Sequence, residues 1–155
     1  MEPSKPSLNF FGKYCIAADT VDFSGKTRIL DRICEFILGT KDYFETEHYV
    51  FVHGWLPVHT GAECAEIRQD WRSATKEDWR KARWTKWTEM YETCDRLPNK
   101  TIVCGHVPSF FANKFDPSRS AENADIFYSE GLTVIDAGTF TSGKVNVLVL
   151  EDRLI

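Results

Sequence analysis

The sequence predicts an α/β (α+β) fold in a single domain, residues 1–155, and three observations carry that prediction. Two apolar runs rich in β-branched and aromatic residues, Tyr49-Val50-Phe51-Val52 and Thr101-Ile102-Val103-Cys104, each stop at a glycine and histidine pair with a proline just beyond. This is the pattern of a buried strand that hands its last residue to a tight loop. Around these runs lie stretches whose apolar residues recur at helical spacing. A chain of 155 residues with 43% hydrophobic and 14% aromatic content can also bury one sizeable core.

In chain order, residues 1–8 are polar and proline-containing and read as a disordered terminus. Tyr14-Cys15-Ile16-Ala17-Ala18 reads as a short strand. Thr20-Val21-Asp22-Phe23-Ser24-Gly25-Lys26-Thr27 ends like a phosphate-binding P-loop, but Thr20 stands where the first glycine belongs and the usual additional glycines are missing. An ordinary turn opening a helix is the better reading. That helix covers about residues 26–38, with Ile29, Leu30, Ile33, Phe36 and Ile37 on one face for the core and Gly39 as its stop. The strand ending at His53 follows.

Residues 62–94 are rich in tryptophan and charge. Lys76-Glu77-Asp78 opens a helix on which Trp79, Arg83, Trp87, Met90, Tyr91 and Cys94 fall near one stripe. After the second strand and Gly105-His106, residues 109–123 form a polar irregular loop of the kind that borders a site. Residues 125–128 and 132–135 read as strands, Asp136-Ala137-Gly138 as a turn, and Val145-Asn146-Val147-Leu148-Val149-Leu150 as the strand that closes the sheet.

If the two histidine-bearing strands are parallel neighbours, both imidazoles leave the same sheet edge and can share a metal ion. A strand-end histidine taken alone is more often a hydrogen-bonded structural residue, and the repetition of the pattern is what favours the ligand role. Arg83 sits at the edge of its helical stripe with two readings open: a guanidinium fork for phosphate oxygens, or a solvated or salt-bridged surface arginine. Trp55 and Trp84 either wall a pocket or fill core, and His59 reads as a bystander. Asp136 reads as a turn residue bonded to local amides rather than as a ligand.

Three segments in order, Phe51-Val52-His53-Gly54-Trp55-Leu56-Pro57, then Gly105-His106-Val107-Pro108, then Val134-Ile135-Asp136-Ala137-Gly138 with Gly143-Lys144-Val145-Asn146-Val147-Leu148-Val149-Leu150, resemble the calcineurin-like metallophosphoesterases. The likeness is to the C-terminal half of the serine/threonine-phosphatase branch and covers roughly residues 45–152. It implies part of a metallophosphoesterase-like β-sandwich flanked by helices, with the N-terminal half of that fold missing, and two divalent metal ions (manganese, iron or zinc) at the strand ends. It places His53 and His106 as ligands of the second metal and Arg83 as the holder of the substrate phosphate.

The family's Asp-x-His, Gly-Asp-x-x-Asp-Arg and Gly-Asn-His-Glu motifs, which supply the first metal's ligands and the catalytic histidine, do not occur. No histidine precedes His48, and Leu30-Asp31-Arg32 lacks the glycine and first aspartate of the second motif. Pro108 stands where many relatives carry a further metal-binding histidine. No catalytic residue is therefore assigned. The resemblance implies a metal-dependent phosphoesterase that hydrolyses phosphomonoesters or phosphoproteins with a metal-activated hydroxide. This chain would carry the C-terminal half of the site and be inactive alone. The implied partners are a phosphorylated substrate and the missing N-terminal half or a second chain. The alternative is a non-catalytic interaction or scaffold protein that keeps the phosphoesterase sheet without its chemistry.

A net charge of −4, without a long block of like charges, argues against general nucleic-acid binding. Five cysteines without a Cys-x-x-Cys pair fit buried or free thiols in a reducing compartment. No apolar run reaches the roughly 18 residues of a membrane-spanning helix, and the first residues lack a signal-peptide core. A cytoplasmic protein is the expectation.

Overall fold

The structure, a computed structural model, describes residues 27–60 and 64–155. The expectations for residues 1–8, for the strand at 14–18 and for the turn at 20–26 lie outside the described residues. The described residues divide into two units, one ending at Lys41 and the other running from Asp42 to Ile155.

The first unit contains α1 (Thr27–Leu38), close to where its periodicity predicted it. Gly39 ends it, its N–H reaching Glu35 O at 2.9 Å and Phe36 O at 3.2 Å. The expected burial of its apolar face is corrected, because Ile33 and Phe36 are exposed. Periodicity fixes which side chains share a face, not whether a surface covers them.

The second unit is a mixed α/β structure around a five-stranded sheet. Its strands are β1 (Tyr43–Glu45), β2 (Tyr49–Val52), β5 (Thr101–Cys104), β6 (Phe127–Ser129) and β7 (Leu132–Val134), in spatial order β1-β2-β5-β7-β6. The three central strands are parallel, with Val50 opposite Ile102 and Ile102 opposite Leu132, so their C-terminal ends open on one sheet edge. The flanking strands β1 and β6 run antiparallel to their neighbours. Val50, Ile102, Leu132 and Val134 are fully buried, as expected of central parallel strands covered on both faces.

The connection from β2 to β5 carries β3 (Val58–Thr60) and β4 (Ala65–Ile67), paired as a hairpin, then α2 (Lys76–Trp84) and α3 (Trp87–Met90). A capping box opens α2, with the Thr75 hydroxyl accepting from the Asp78 amide while the Asp78 carboxylate accepts from the Thr75 amide. Trp55, Trp71, Trp79 and Trp87 fill the core beneath this connection. Trp87 is fully buried and its indole N–H donates to Val107 O at 2.7 Å, tying the connection to the loop after β5.

Three further expectations are corrected. The stripe from Trp79 to Cys94 is not one helix: Thr85 turns extended (φ −72°, ψ 129°), α3 restarts after Lys86, and Cys94 instead bridges Ala65. A break between Trp84 and Trp87 lets both tryptophans serve, the first exposed and the second in the core. The segment at 145–150 does not close the sheet, whose edges are β1 and β6, and it pairs with no strand among the described residues. The strand expected at 125–128 begins at Phe127, because Asp125 is engaged at the end of the preceding loop, its amide donating to Asn123 Oδ1 at 2.9 Å.

The C-terminal end is fastened to the turn between β1 and β2. One Asp152 oxygen accepts from Thr46 Oγ1 at 2.6 Å and the His48 amide at 2.9 Å, and the other lies 2.8 Å from His48 Nδ1. These bonds hold the Asp152 carboxyl far below the usual carboxylate range. Burial raises the Cys94 thiol to about 11 and the Cys104 thiol further, which leaves both protonated and inert. Among the described residues no helix is long and apolar enough to cross a membrane.

Removing the Trp87 ring should cost about 3–5 kcal/mol, because it leaves both a large cavity and an unpaired Val107 carbonyl. Urea unfolding of Trp87→Ala checks this, with Trp84→Ala, an exposed ring, expected to change stability by about 0.5 kcal/mol or less.

Candidate functional site

His53 follows β2 directly and His106 comes two residues after β5, so the parallel pairing delivers both to the same sheet edge. The Gly105 amide donates to His53 O at 3.0 Å and joins the two loops. The imidazole ring centres stand 5.0 Å apart, tilted by 52°. His106 has φ of +67°, a left-handed conformation that costs a side-chain-bearing residue energy and is found where the surroundings enforce it. Here the Val107 amide closes a tight turn on Gly105 O at 2.7 Å and the Val107 carbonyl is held by Trp87.

Trp84 completes the arrangement. Its ring meets the His106 ring edge-on at 5.4 Å and the His53 ring at 6.4 Å, while 61% of the residue stays open to solvent. The end of α2 can come this close because residue 54 is glycine. A Cβ there would lie 2.5 Å from Arg83 O, 2.7 Å from Thr85 O and 2.8 Å from Ala82 O. The Trp55 amide then donates to Ala82 O at 2.9 Å.

Asp136 arrives from the end of β7, the third parallel strand. Its backbone carbonyl accepts from the Ser109 amide at 2.7 Å, and its Oδ1 accepts from the Gly138 amide at 2.7 Å, the local turn bond expected from the sequence. Its side chain also stands beside Gly105, with Oδ2 4.0 Å from where a Cβ on that glycine would be. The carboxylate thus borders the histidine loops.

The basicity of His53 is lowered first by desolvation, then by repulsion from His106 and Arg83, with Asp136 opposing. A histidine that gives up its proton easily is ready to ligate a metal. Arg83 lies close enough to depress His53, but its guanidinium pairs with Asp42 Oδ1 at 2.5 Å. The salt-bridged reading of Arg83 describes its resting contact, and phosphate would have to displace Asp42. Trp55 is core, and His59 lies on β3 opposite Glu66.

Among the described residues the one set of three potential metal-ligating groups within 4.8 Å of one another is elsewhere: Glu47, His48 and Asp152. Nothing in the sequence announced it, because the contact joins positions at opposite ends of the second unit. The Asp152 oxygens there are already occupied by Thr46, His48 and the Arg153 amide.

Compared with protein-family profiles, with curated proteins and with solved structures, the chain finds no match.

Gly54→Ala should lower stability by about 1–3 kcal/mol, since the added methyl meets backbone that cannot swing aside. A lower urea midpoint with a changed Trp84 environment in fluorescence or NMR checks it. In the metal-free protein the unfolded chain takes up the His53 proton at about 6.5 and the folded chain only at lower pH. Stability should therefore fall as pH drops below about 6.5 and level off below the folded value. His53→Asn should flatten that slope, and Asp136→Asn should lower the His53 midpoint further in an NMR titration.

Proposed function

We propose that this chain carries the metal-holding part of a phosphoesterase of the calcineurin-like kind, hydrolysing phosphomonoesters or phosphoproteins, and that its sheet is one layer of that family's sandwich. The observation that carries the reading is that consecutive parallel strands bring His53 and His106 to 5.0 Å between ring centres, with Asp136 from the next strand beside them. The two imidazoles suit one divalent cation such as manganese, iron or zinc, and the Asp136 carboxylate, which does not converge with both of them within 4.8 Å, would have to move to join them. Two rings bound to one tetrahedral ion have centres about 5 Å apart, given metal to nitrogen bonds of about 2.1 Å. Among the described residues no second set of ligating groups lies beside this pair.

A divalent cation held there supplies Lewis-acid polarisation of the phosphoryl group and a more acidic bound water. The chain's own groups do the rest. His53 and His106 would hold the cation through ring nitrogens, and Asp136, now bonded to the Gly138 amide, would add negative charge beside them. Arg83 exchanges Asp42 for phosphate oxygens, a swap between two anions that the guanidinium fork accommodates. Trp84 flanks the imidazole pair edge-on, and the pair stays open to an incoming substrate from solvent.

A second reading, a scaffold that retains the sheet without chemistry, is favoured by one observation: Arg83 is already neutralised by Asp42. Metal titration with elemental analysis separates the two. The proposal expects about one manganese or zinc ion per chain, lost in His53→Ala/His106→Ala and kept in His48→Ala, which removes the Glu47, His48 and Asp152 set. It also expects hydrolysis of an aryl phosphate near background for the chain alone. Retention of the ion in the double variant, or no ion bound at all, would leave the scaffold reading.

A further inference from the structure

Trp84 is the exception among the tryptophans. Trp55, Trp71, Trp79 and Trp87 are buried in the core, whereas Trp84, the last residue of α2, is 61% exposed. Its position is nonetheless fixed, because the close approach at Gly54 holds the end of α2 against the first histidine loop and the turn at Thr85 follows at once. The three ring centres form a compact triangle, with 5.0 Å between the imidazoles, 5.4 Å from Trp84 to His106 and 6.4 Å from Trp84 to His53. Both imidazoles meet the indole at steep angles, 79° and 84°, so neither stacks on it. Among the described residues no other ring lies against it. An exposed indole with an open face, fixed beside two candidate ligands, is a platform for a flat ring.

We infer that Trp84 sets the substrate class of this site: a phosphate monoester whose ester oxygen carries a planar aromatic ring, which stacks on the indole while the phosphoryl group faces the imidazole pair. The inference rests on the metal-holding reading of His53 and His106 and narrows it. The compactness of the triangle selects the ligand. A ring joined directly to the ester oxygen lies next to the phosphorus, and the indole stands about one ring's breadth from His106. A base carried on a sugar is held several bonds further off and overshoots the indole. An aliphatic alcohol reaches the same place without a π face, and offset stacking gives a flat ring more than its buried area alone. The charges agree with this orientation. His53 is exposed and Arg83 lies within its electrostatic reach, so the anionic end finds its partners on the imidazole side and the apolar end on the indole side. Such an ester occurs as a free aryl phosphate or as a phosphorylated tyrosine side chain, with the same chemistry in both.

Titration of the zinc-loaded full chain with phenyl phosphate, glycerol phosphate and adenosine monophosphate tests this. The readouts are the NMR signal of the Trp84 indole N–H, assigned by its loss in Trp84→Leu, and the zinc content by elemental analysis. Phenyl phosphate should shift that signal and bind about tenfold more tightly than the other two. Trp84→Leu should remove the preference and Trp84→Tyr should keep most of it, with zinc content unchanged in both. The side chain is exposed, so neither replacement endangers the fold. A phosphotyrosine peptide separates the two sources: binding tighter than that of phenyl phosphate points to a protein substrate, and equal binding to a free aryl phosphate. Equal affinities for phenyl and glycerol phosphate with zinc in place, a preference that survives Trp84→Leu, or adenosine monophosphate bound as tightly as phenyl phosphate would overturn the inference and leave the metal reading standing. A chain that binds no zinc would overturn both.

Discussion

At Gly54 the backbone of the first histidine loop lies against three carbonyls at the end of α2, closer than any side chain would allow. Much of the candidate site depends on that approach. It brings Trp84 over both imidazoles and Arg83 within electrostatic reach of His53, and it ends α2 where Thr85 must turn away. The contact is backbone against backbone, and its tolerance is therefore small. The indole of Trp87 then fixes the facing loop through Val107, so one connection between two strands positions both halves of the imidazole pair.

The electrostatics are balanced rather than strongly biased. His53 is repelled by His106 and Arg83 and attracted by the Asp136 carboxylate, while Arg83 is itself paired with Asp42. With Asp42 in place the edge holds opposite charges in nearly matched number, and an arriving anion meets an arginine whose partner must leave first. Any anion that reached Arg83 would have to displace Asp42, so its gain would be the difference between two guanidinium contacts.

What the sequence disclosed follows the range of the interactions involved. The strands ending at Val52 and Cys104 were legible because their apolar runs and glycine and histidine stops are local signals. The repeated pattern was also enough to expect the two histidines at one edge, which a single histidine would not have supported. The helix α1 could be read from spacing, yet the exposure of Phe36 could not, because cover is a property of another surface. The tryptophan-rich stripe read as one helix because its spacing is helical throughout, whereas the break at Thr85 is dictated by Gly54, about thirty residues earlier. Residues 145–150 look like a closing strand by composition, and only the structure shows their backbone without a partner. Asp42 with Arg83, and Asp152 with Thr46 and His48, are pairings across the fold that no local pattern encodes.

The parallel pairing of β2 with β5 also governs how the site comes into being. Antiparallel neighbours can zip from a short turn, but these two strands meet only after the whole connection bearing β3, β4, α2 and α3 has been gathered in, at a considerable loop-closure entropy. His53 and His106 are thus remote in the unfolded chain and become neighbours only as that non-local contact forms, the kind of step that slows folding. The imidazole pair behaves as a late reporter of the completed sheet. A partly folded form that keeps local helices and hairpins has two unrelated histidines, and loss of the pair under stress coincides with opening of the sheet's centre, not with fraying at its edges.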